Sequence, residues 1–191
     1  ALDLAIRLAT EAGADLILAN DPDADRLAVA VSTPAGRFVQ LTGNQIGALL
    51  ADFVLDHAPA TPKPLVLSSI VSSPMLASIA RAHDARCEIT LTGFKWIWTA
   101  ALALQKSESV RYQFGFEEAI GFSVGQLVRD KDGIGAAVVF AELAAQARAA
   151  GTSVLERLAA LYRRHGIWVS AQQSVVRPGV LGLQEIAAAV E

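Results

Sequence analysis

The chain has 191 residues, of which 53% are hydrophobic and 18% are charged, and its net charge is -3 at pH 7. This composition supports a packed core and argues against intrinsic disorder, and the mild charge favours neither a nucleic-acid nor an anionic-membrane partner. The single cysteine, Cys87, excludes a disulfide within the chain, and no stretch approaches the roughly 18 uncharged apolar residues of a membrane helix.

The first part of the chain predicts one helix followed by three short strands. Residues 2–12 have a helical pattern that Gly13 can end, and residues 15–19 are a short apolar run typical of a buried strand. After a polar loop, strands are predicted over residues 27–32 and 37–41. The short link between these two strands has turn-forming residues, which favours an antiparallel hairpin.

The rest of the chain alternates between helical and strand patterns. Capping boxes at Thr42–Gln45 and Ser153–Glu156 predict two helix starts, because each places a hydroxyl three residues before a side chain that can bond back to the backbone. The predicted helices cover residues 43–57, 74–82, 94–105, 133–149 and 154–164. The predicted strands cover residues 65–70, 87–91 and 112–115, and an extended segment (167–176) and a helical pattern (183–191) follow.

This alternation predicts an α/β fold with mixed strand pairing. A boundary near Leu41 would divide the chain into the end of one domain, residues 1–40, and a complete domain, residues 41–165. Residues 166–191 would then leave that domain. The chain begins and ends within helical patterns, so we expect a piece of a longer protein, although a trimmed protein would give the same pattern.

The acidic loop, residues 21–26, has the sequence Asp-Pro-Asp-Ala-Asp-Arg. The carboxylates of Asp21, Asp23 and Asp25 repel one another unless a cation neutralises them, and alternate positions of an extended loop can direct their oxygens to one point. Carboxylate oxygens favour hard ions, so Mg²⁺ is the predicted ligand, with Mn²⁺ as an alternative. Arg26 adds a positive group suited to a phosphate oxygen.

Besides a Mg²⁺ site, the acidic loop has three other interpretations: a calcium-binding loop, a phosphatase loop and a surface turn. A calcium-binding EF-hand loop is excluded, because it needs glycine and glutamate where the chain has Arg26 and Ser32. A phosphatase with an aspartate nucleophile also places Asp-x-Asp after a strand and stays open. An acidic surface turn stays open as well, because short motifs occur by chance.

Three further loops contain candidate site residues. Glu117 and Glu118 lie between glycines after a predicted strand, where carboxylates can bond sugar hydroxyls. Lys131 precedes a helix start and is placed to meet a phosphate or transfer a proton. Residues 92–95 form a strand-to-helix junction that suits an anion. Taken singly, the loop with Glu117 and Glu118 is slightly better explained by a solvated turn, and the loop with Lys131 is better explained by an ordinary charged helix cap.

The remaining aromatic and imidazole side chains predict no site of their own. Trp96 and Trp98 could face a sugar, but both are expected to pack in the core. His57, His83 and His165 lie near predicted helix ends, and their spacing suggests no zinc site.

Together, these loops resemble the α-D-phosphohexomutase superfamily, which contains phosphoglucomutases and phosphomannomutases. Four segments follow the family's order, namely DPDADR, TGFKW, FEEAIG and RDKDG. The resemblance covers nearly the whole chain and implies a mixed-sheet α/β domain of the phosphohexomutase type, preceded by part of a similar domain. Residues 1–40 would be the end of domain 2, residues 41–165 domain 3, and residues 166–191 a linker toward domain 4.

The resemblance also implies a reaction and a role for each candidate residue. A phosphosugar mutase interconverts 1-phospho and 6-phospho hexoses through a phosphoserine and a bisphosphorylated sugar, with Mg²⁺ between the phosphoserine and three aspartates. By this resemblance Asp21, Asp23 and Asp25 bind the metal, and Arg26 and Lys131 are catalytic cations. The implied sugar-binding residues are Thr92, Gly93, Lys95, Glu117 and Glu118.

The sequence departs from the family pattern in several places. Pro22 and Ala24 stand where many members have glycine, and Ala119 stands where many have a sugar-contacting serine. The TGFKW segment resembles the branch that also acts on ribose phosphates. The phosphoserine loop of domain 1 and the phosphate loop of domain 4 have no counterpart here. We therefore expect no mutase turnover from these residues alone.

Three other functions are kept as alternatives: a phosphopentomutase, a non-catalytic module that binds Mg²⁺ and sugar phosphate, and a phosphatase with an aspartate nucleophile. The expected partners are a glucose, mannose or ribose phosphate and domains 1 and 4 of the same polypeptide. No nucleic-acid or membrane partner is expected, and the expected location is the cytoplasm.

Overall fold

The computed structural model describes residues 2–171 and 176–190 and contains two β-sheets. The first sheet follows helix α1 (Asp3–Ala12), which ends at Gly13 as predicted. Its three strands lie in the order β1-β2-β3, and all pairings are antiparallel, which confirms the predicted hairpin. The strands are β1 (Leu16–Asn20), β2 (Leu27–Ser32) and β3 (Phe38–Gln40).

The second sheet has four strands in the order β5-β4-β6-β7. The first three strands are parallel, and β7 is antiparallel to β6, which confirms the predicted mixed α/β fold. The three parallel strands therefore end at one edge, at Ser69, Thr90 and Glu117. The strands are β4 (Lys63–Ser69), β5 (Arg86–Thr90), β6 (Val110–Glu117) and β7 (Gly121–Val124).

Six helices follow the first sheet in the described part of the chain, and two of them begin at the predicted capping boxes. Thr42 and Gln45 exchange both bonds of the box, and Ser153 and Glu156 do the same. The helices are α2 (Gly43–Asp56), α3 (Met75–Ala82), α4 (Phe94–Ser107), α5 (Gly133–Ala149), α6 (Val154–His165) and α7 (Gly179–Val190).

Helices cover both faces of the four-stranded sheet. Residues of α2, α3, α5 and α6 pack on one face in a core that includes Phe114 and Phe116, and α4 packs on the other face against Tyr112. The pairing of β6 with β4 shifts by one residue between Tyr112 and Phe114. This bulge at Gln113 turns Phe114 and Phe116 toward the opposite face from Tyr112.

Several predictions about individual elements were wrong. The strand predicted at residues 112–115 extends over Val110–Glu117, so Glu117 ends a strand, and the four-residue strand β7 was not predicted at all. Trp96 is 43% exposed, although Trp98 is buried as expected. The buried positions of α4 recur every three or four residues from Phe94, and Trp96 falls on the opposite side of the helix.

The C-terminal residues contain more helix than expected. Residues 166–171 form neither helix nor strand, and residues 172–175, which belong to the predicted extended segment, lie outside the described residues. The helical pattern predicted at 183–191 begins earlier, at Gly179, and residue 191 is outside the described residues as well. The division into domains 2, 3 and 4 stays a prediction.

Within the described ranges, no single helix has both the length and the apolar character that crossing a membrane requires. Helices α5 and α6 meet these criteria only when taken together, and they are bent by 92° relative to each other.

Helix α2 begins in close contact with the glutamate turn, residues 117–121. A Cβ atom on Gly43 would lie 2.0 Å from the carbonyl oxygen of Glu118. Gly43→Ala is therefore expected to lower the free energy of unfolding by about 3 kcal/mol, because the obstructing atoms are backbone. Urea denaturation measures this change.

Gly36→Ala is the control for this variant. A Cβ at Gly36 meets open space, but its φ of 73° is left-handed, so about 1 kcal/mol of strain is expected. A Gly43→Ala cost no larger than that of Gly36→Ala would contradict the close contact.

Candidate functional site

The candidate site lies at the carboxyl edge of the four-stranded sheet. Strands β4, β5 and β6 end here, and the predicted sugar-binding residues lie at the end of β6, at the start of α4 and in the loops next to them. In open α/β sheets, ligands bind outside the carboxyl ends of the strands. The position of these loops therefore fits a ligand site.

The acidic loop is attached to this edge although it belongs to the other sheet. The backbone N–H of Leu27 donates to the carbonyl oxygen of Ile120 at 3.1 Å. Next to this bond, Arg26 and Gly121 form an isolated antiparallel bridge. The acidic loop and the glutamate turn are therefore held side by side by their backbones.

Gly121 is the point where the four predicted loops meet. A Cβ atom here would lie 2.8 Å from Cδ of Lys131 and 3.1 Å from Cε2 of Phe94, so a side chain would displace both neighbours. Lys131 also places its Nζ 5.5 Å from the centre of the Phe94 ring. Arg26 bridges the same glycine, although the two residues are 95 positions apart in the sequence.

Hydrogen bonds within the acidic loop fix its backbone. The N–H of Arg26 donates to Oδ1 of Asp21 at 3.2 Å, and Nδ2 of Asn20 donates to the carbonyl oxygen of Arg26 at 2.7 Å. The Arg26 Nε lies 3.7 Å from Asp21 Oδ2 and 3.9 Å from Asp25 Oδ1. Asp23 points to solvent at the exposed tip of the loop.

Lys131 forms an ion pair with the acidic loop. Its Nζ lies 3.0 Å from Asp25 Oδ2 and 3.4 Å from Asp130 Oδ1. The hydrogen bond from Lys131 is the main cause that lowers the pKa of Asp25. Burial of Lys131 opposes its charged form, but the bond to Asp25 and the charge of Asp130 outweigh burial and raise the Lys131 pKa. The pair is therefore charged at neutral pH.

The acidic loop suits a divalent cation by its donor chemistry. Asp25 Oδ1 is buried and accepts no hydrogen bond from the described part of the chain, and its contact with Arg26 Nε, at 3.9 Å, is long, so a cation could add a closer partner. Asp21, Asp23 and Asp25 are nevertheless not gathered around one point. Across residues 2–171 and 176–190, no three His, Cys, Asp or Glu side chains lie close enough to hold a metal. The Mg²⁺ site stays a prediction.

Glu117 connects two loops that the sequence analysis treated separately. Its side chain is buried, and its Oε1 accepts a 2.6 Å hydrogen bond from the N–H of Gly93. Thr92 and Lys95 flank Gly93 and are exposed, and Nζ of Lys95 lies 5.3 Å from the centre of the Trp96 ring. Thr92 and Lys95 are therefore exposed next to the backbone group that Glu117 binds.

Glu118 contacts two residues that the sequence analysis missed. Its Oε2 accepts a hydrogen bond from the hydroxyl of Ser72 at 3.2 Å and lies 3.3 Å from the hydroxyl oxygen of Ser69. Both serines are buried. The available signal was the polar segment Ser-Ser-Ile-Val-Ser-Ser directly after an apolar strand.

Residues 42–165 match the family model described as phosphoglucomutase/phosphomannomutase, alpha/beta/alpha domain III. The chain belongs to the phosphoglucomutase/phosphomannomutase family. It is 42% identical over 176 residues to a Haemophilus influenzae protein named probable phosphomannomutase, covering 92% of this chain and 34% of that protein. It is 45% identical over 148 residues to a Saccharomyces cerevisiae phosphoribomutase, covering 73% of this chain and 24% of that protein.

Solved structures of mutases share the fold of this family member. A Paramecium phosphoglucomutase (pp63/parafusin, open form) matches with a TM-score of 0.62 and 21% identity over 81% of this chain and 25% of that one. An Aspergillus fumigatus N-acetylphosphoglucosamine mutase in complex with GlcNAc-6P and magnesium matches with a TM-score of 0.54 and 15% identity, over 86% and 37%. The chain spans about a third or less of the length of the relatives it matches.

Removing Lys131 from its ion pair with Asp25 should change the titration of the Asp25 carboxyl. Lys131→Met is expected to raise the pKa of Asp25, because the main interaction that lowers it is lost. In the wild type this pKa lies below the ordinary value of 3.8, so the pair stabilises the fold at neutral pH. That contribution is lost as the pH falls through the folded-state pKa. Carbon-13 shifts of the Asp25 carboxyl measure the titration, and an unchanged midpoint in Lys131→Met would contradict the ion pair.

Proposed function

We propose that this chain is the metal- and sugar-binding part of a phosphosugar mutase that interconverts 1-phospho and 6-phospho hexoses. The observation that carries the proposal is the meeting of four loops at Gly121, which places carboxylates and cations together at the carboxyl edge of the sheet. Membership of the phosphoglucomutase/phosphomannomutase family supports the reaction class.

Lys131 and Arg26 are the cations that we assign to phosphate. The raised pKa of Lys131 keeps its amine protonated at neutral pH, so it can bind a phosphate oxygen or donate a proton, but it cannot act as a base in this state. Arg26 is about half exposed, and its guanidinium is suited to two phosphate oxygens. A negatively charged substrate would thus meet positive groups beside the acidic loop.

Asp21, Asp23 and Asp25 are the residues that would hold Mg²⁺, which when bound would offset charge on the transferring phosphoryl group. Asp25 pairs through Oδ2 with Lys131, and its Oδ1, which accepts no hydrogen bond from the described residues, is the oxygen that we assign to the cation. The magnesium complex of the Aspergillus mutase supports this choice of ion. Arg26 also keeps the loop in place, because its N–H bonds Asp21.

Glu117 is the residue that we assign to sugar hydroxyls. One of its oxygens is held by Gly93, which orients the carboxylate, and the other accepts no hydrogen bond from the described residues. Thr92 and Lys95 lie beside it on the exposed loop. Hexose phosphates are the proposed substrates, with ribose phosphates as the alternative that the yeast relative supports.

The remaining parts of the proposed mutase lie outside these residues. The phosphoserine and the phosphate loop of domain 4 would come from other parts of a longer polypeptide, as the length of the relatives suggests. Without them, the four loops can bind metal and sugar phosphate but lack the group that transfers the phosphoryl.

A phosphatase with an aspartate nucleophile is the second candidate, because Asp21 and Asp23 follow strand β1 directly. Phosphorus-31 NMR of the chain with Mg²⁺ and glucose 1-phosphate separates the two functions. The mutase assignment predicts no inorganic phosphate above a chain-free blank. Phosphate release that is lost in both Asp21→Asn and Asp23→Asn would overturn it.

The metal assignment predicts a specific effect of Asp23→Asn. Loss of one carboxylate ligand is expected to weaken Mn²⁺ binding, used as a probe for Mg²⁺, by about tenfold or more. Because Asp23 is exposed, circular dichroism and thermal stability should be unchanged. Electron paramagnetic resonance of free Mn²⁺ measures the affinity.

Asp15→Asn is the matched control for this variant. Asp15 lies just before strand β1, whereas the acidic loop follows the other end of that strand. The Asp15 carboxylate pairs with Arg148. Mn²⁺ affinity should stay at the wild-type value in Asp15→Asn. Equal affinities in wild type, Asp23→Asn and Asp15→Asn would refute the metal site.

A further inference from the structure

Two buried serines hold the side chain of Glu118. Ser69 ends strand β4 and is 1% exposed, and Ser72 follows it in the next loop and is 6% exposed. Their hydroxyl oxygens lie 2.7 Å apart, and both contact Oε2 of Glu118. One oxygen of this carboxylate is therefore bound by the protein.

The hydrogen atoms of this cluster can be assigned in a consistent way. The N–H of Glu118 donates to Oγ of Ser72 at 3.1 Å, and Ser69 can donate to the same oxygen at 2.7 Å. The hydroxyl of Ser72 then donates to Oε2 of Glu118 at 3.2 Å. In this assignment, Ser72 accepts two hydrogen bonds and donates one, so its hydroxyl is fully used.

The loop that contains the serines is itself fixed to the sheet. The N–H of Ser72 donates to the carbonyl oxygen of Ser69 at 3.0 Å, which closes a tight turn. Within this turn, the N–H of Ile70 donates to the carbonyl oxygen of Thr90, at the end of β5. Glu118 is therefore anchored to two neighbouring strands through one rigid loop.

The glutamate turn needs such an anchor. Ile120 has a φ of 58°, a left-handed conformation that β-branched residues rarely adopt and that surrounding contacts must enforce. Leu27 holds the carbonyl oxygen of Ile120, and the backbone of Gly43 lies against Glu118 from the other side. The hydrogen bonds between Ser72 and Glu118 are a third contact that holds this turn.

We propose that Glu118 is a positioning residue, which Ser69 and Ser72 clamp so that the glutamate turn presents Glu117 to Gly93 and to the sugar. This assignment replaces the sugar-binding role expected for Glu118 from the family resemblance. The part that concerns sugar rests on the proposed function, whereas the clamp and its effect on Glu117 do not.

Amide hydrogen exchange of the chain tests the clamp without any ligand. Ser72→Ala is expected to speed exchange of the Glu118 amide, and also of the Gly93 amide, by about tenfold, the effect of losing one hydrogen bond. Gly93 bonds Glu117 and has no hydrogen bond to Ser72 among the described residues, so its response reports transmission through the turn.

Two further variants serve as references for the exchange rates measured in Ser72→Ala. Ser78→Ala removes a hydroxyl that bonds His165 elsewhere in the fold, so it controls for general destabilisation and should leave Gly93 unchanged. Glu117→Gln should speed exchange of the Gly93 amide directly. If Ser72→Ala speeds exchange of Glu118 alone, or if Ser78→Ala matches its effect on Gly93, the positioning role is overturned.

Binding of glucose 1,6-bisphosphate to the same variants separates positioning from direct contact. A positioning role predicts a smaller loss of affinity in Glu118→Gln than in Glu117→Gln, together with faster Gly93 exchange in both. Equal losses of affinity with unchanged Gly93 exchange in Glu118→Gln would show direct sugar contact and overturn the proposal. If the wild type binds no sugar phosphate, the proposed function fails, and Gly93 exchange still decides the clamp.

Discussion

The backbone hydrogen bond from Leu27 to Ile120 joins the two sheets, and the geometry of the candidate site depends on it. Beside it, Arg26 bridges Gly121, so the acidic loop lies against the glutamate turn. Because backbone groups form this junction, the two loops can move less relative to each other than if flexible side chains joined them. Lys131 can then reach Asp25 from a third loop.

Hydrogen bonds from protein donors explain why several carboxylates can lie together at this edge. In three carboxylates, one oxygen accepts from a protein donor. Asp25 accepts from Lys131, Glu117 from the N–H of Gly93, and Glu118 from the hydroxyl of Ser72. These bonds offset the cost of removing the carboxylates from water. They also fix each side chain in one orientation, which a binding site for a small polar ligand requires.

The sequence predicted the elements that local chemistry specifies. Both capping boxes, the β2–β3 hairpin and the mixed sheet were confirmed, because hydroxyls, turn residues and apolar runs act over a few neighbours. The bonds of Glu117 to Gly93 and of Glu118 to Ser72 were not predicted, because they depend on which strands are adjacent in the sheet. Trp96 was misplaced because an apolar residue was assigned to the core without regard to the face of α4.

We propose that four loops far apart in sequence form one site for a phosphorylated sugar. Nitrogen-15 NMR of the chain, titrated with glucose 1,6-bisphosphate and Mg²⁺, tests this proposal. If the loops form one site, amides of the acidic loop, Gly93, Glu117, Gly121 and Lys131 will shift together with one dissociation constant. Shifts confined to one loop, or centred on the opposite edge of the sheet, would contradict it.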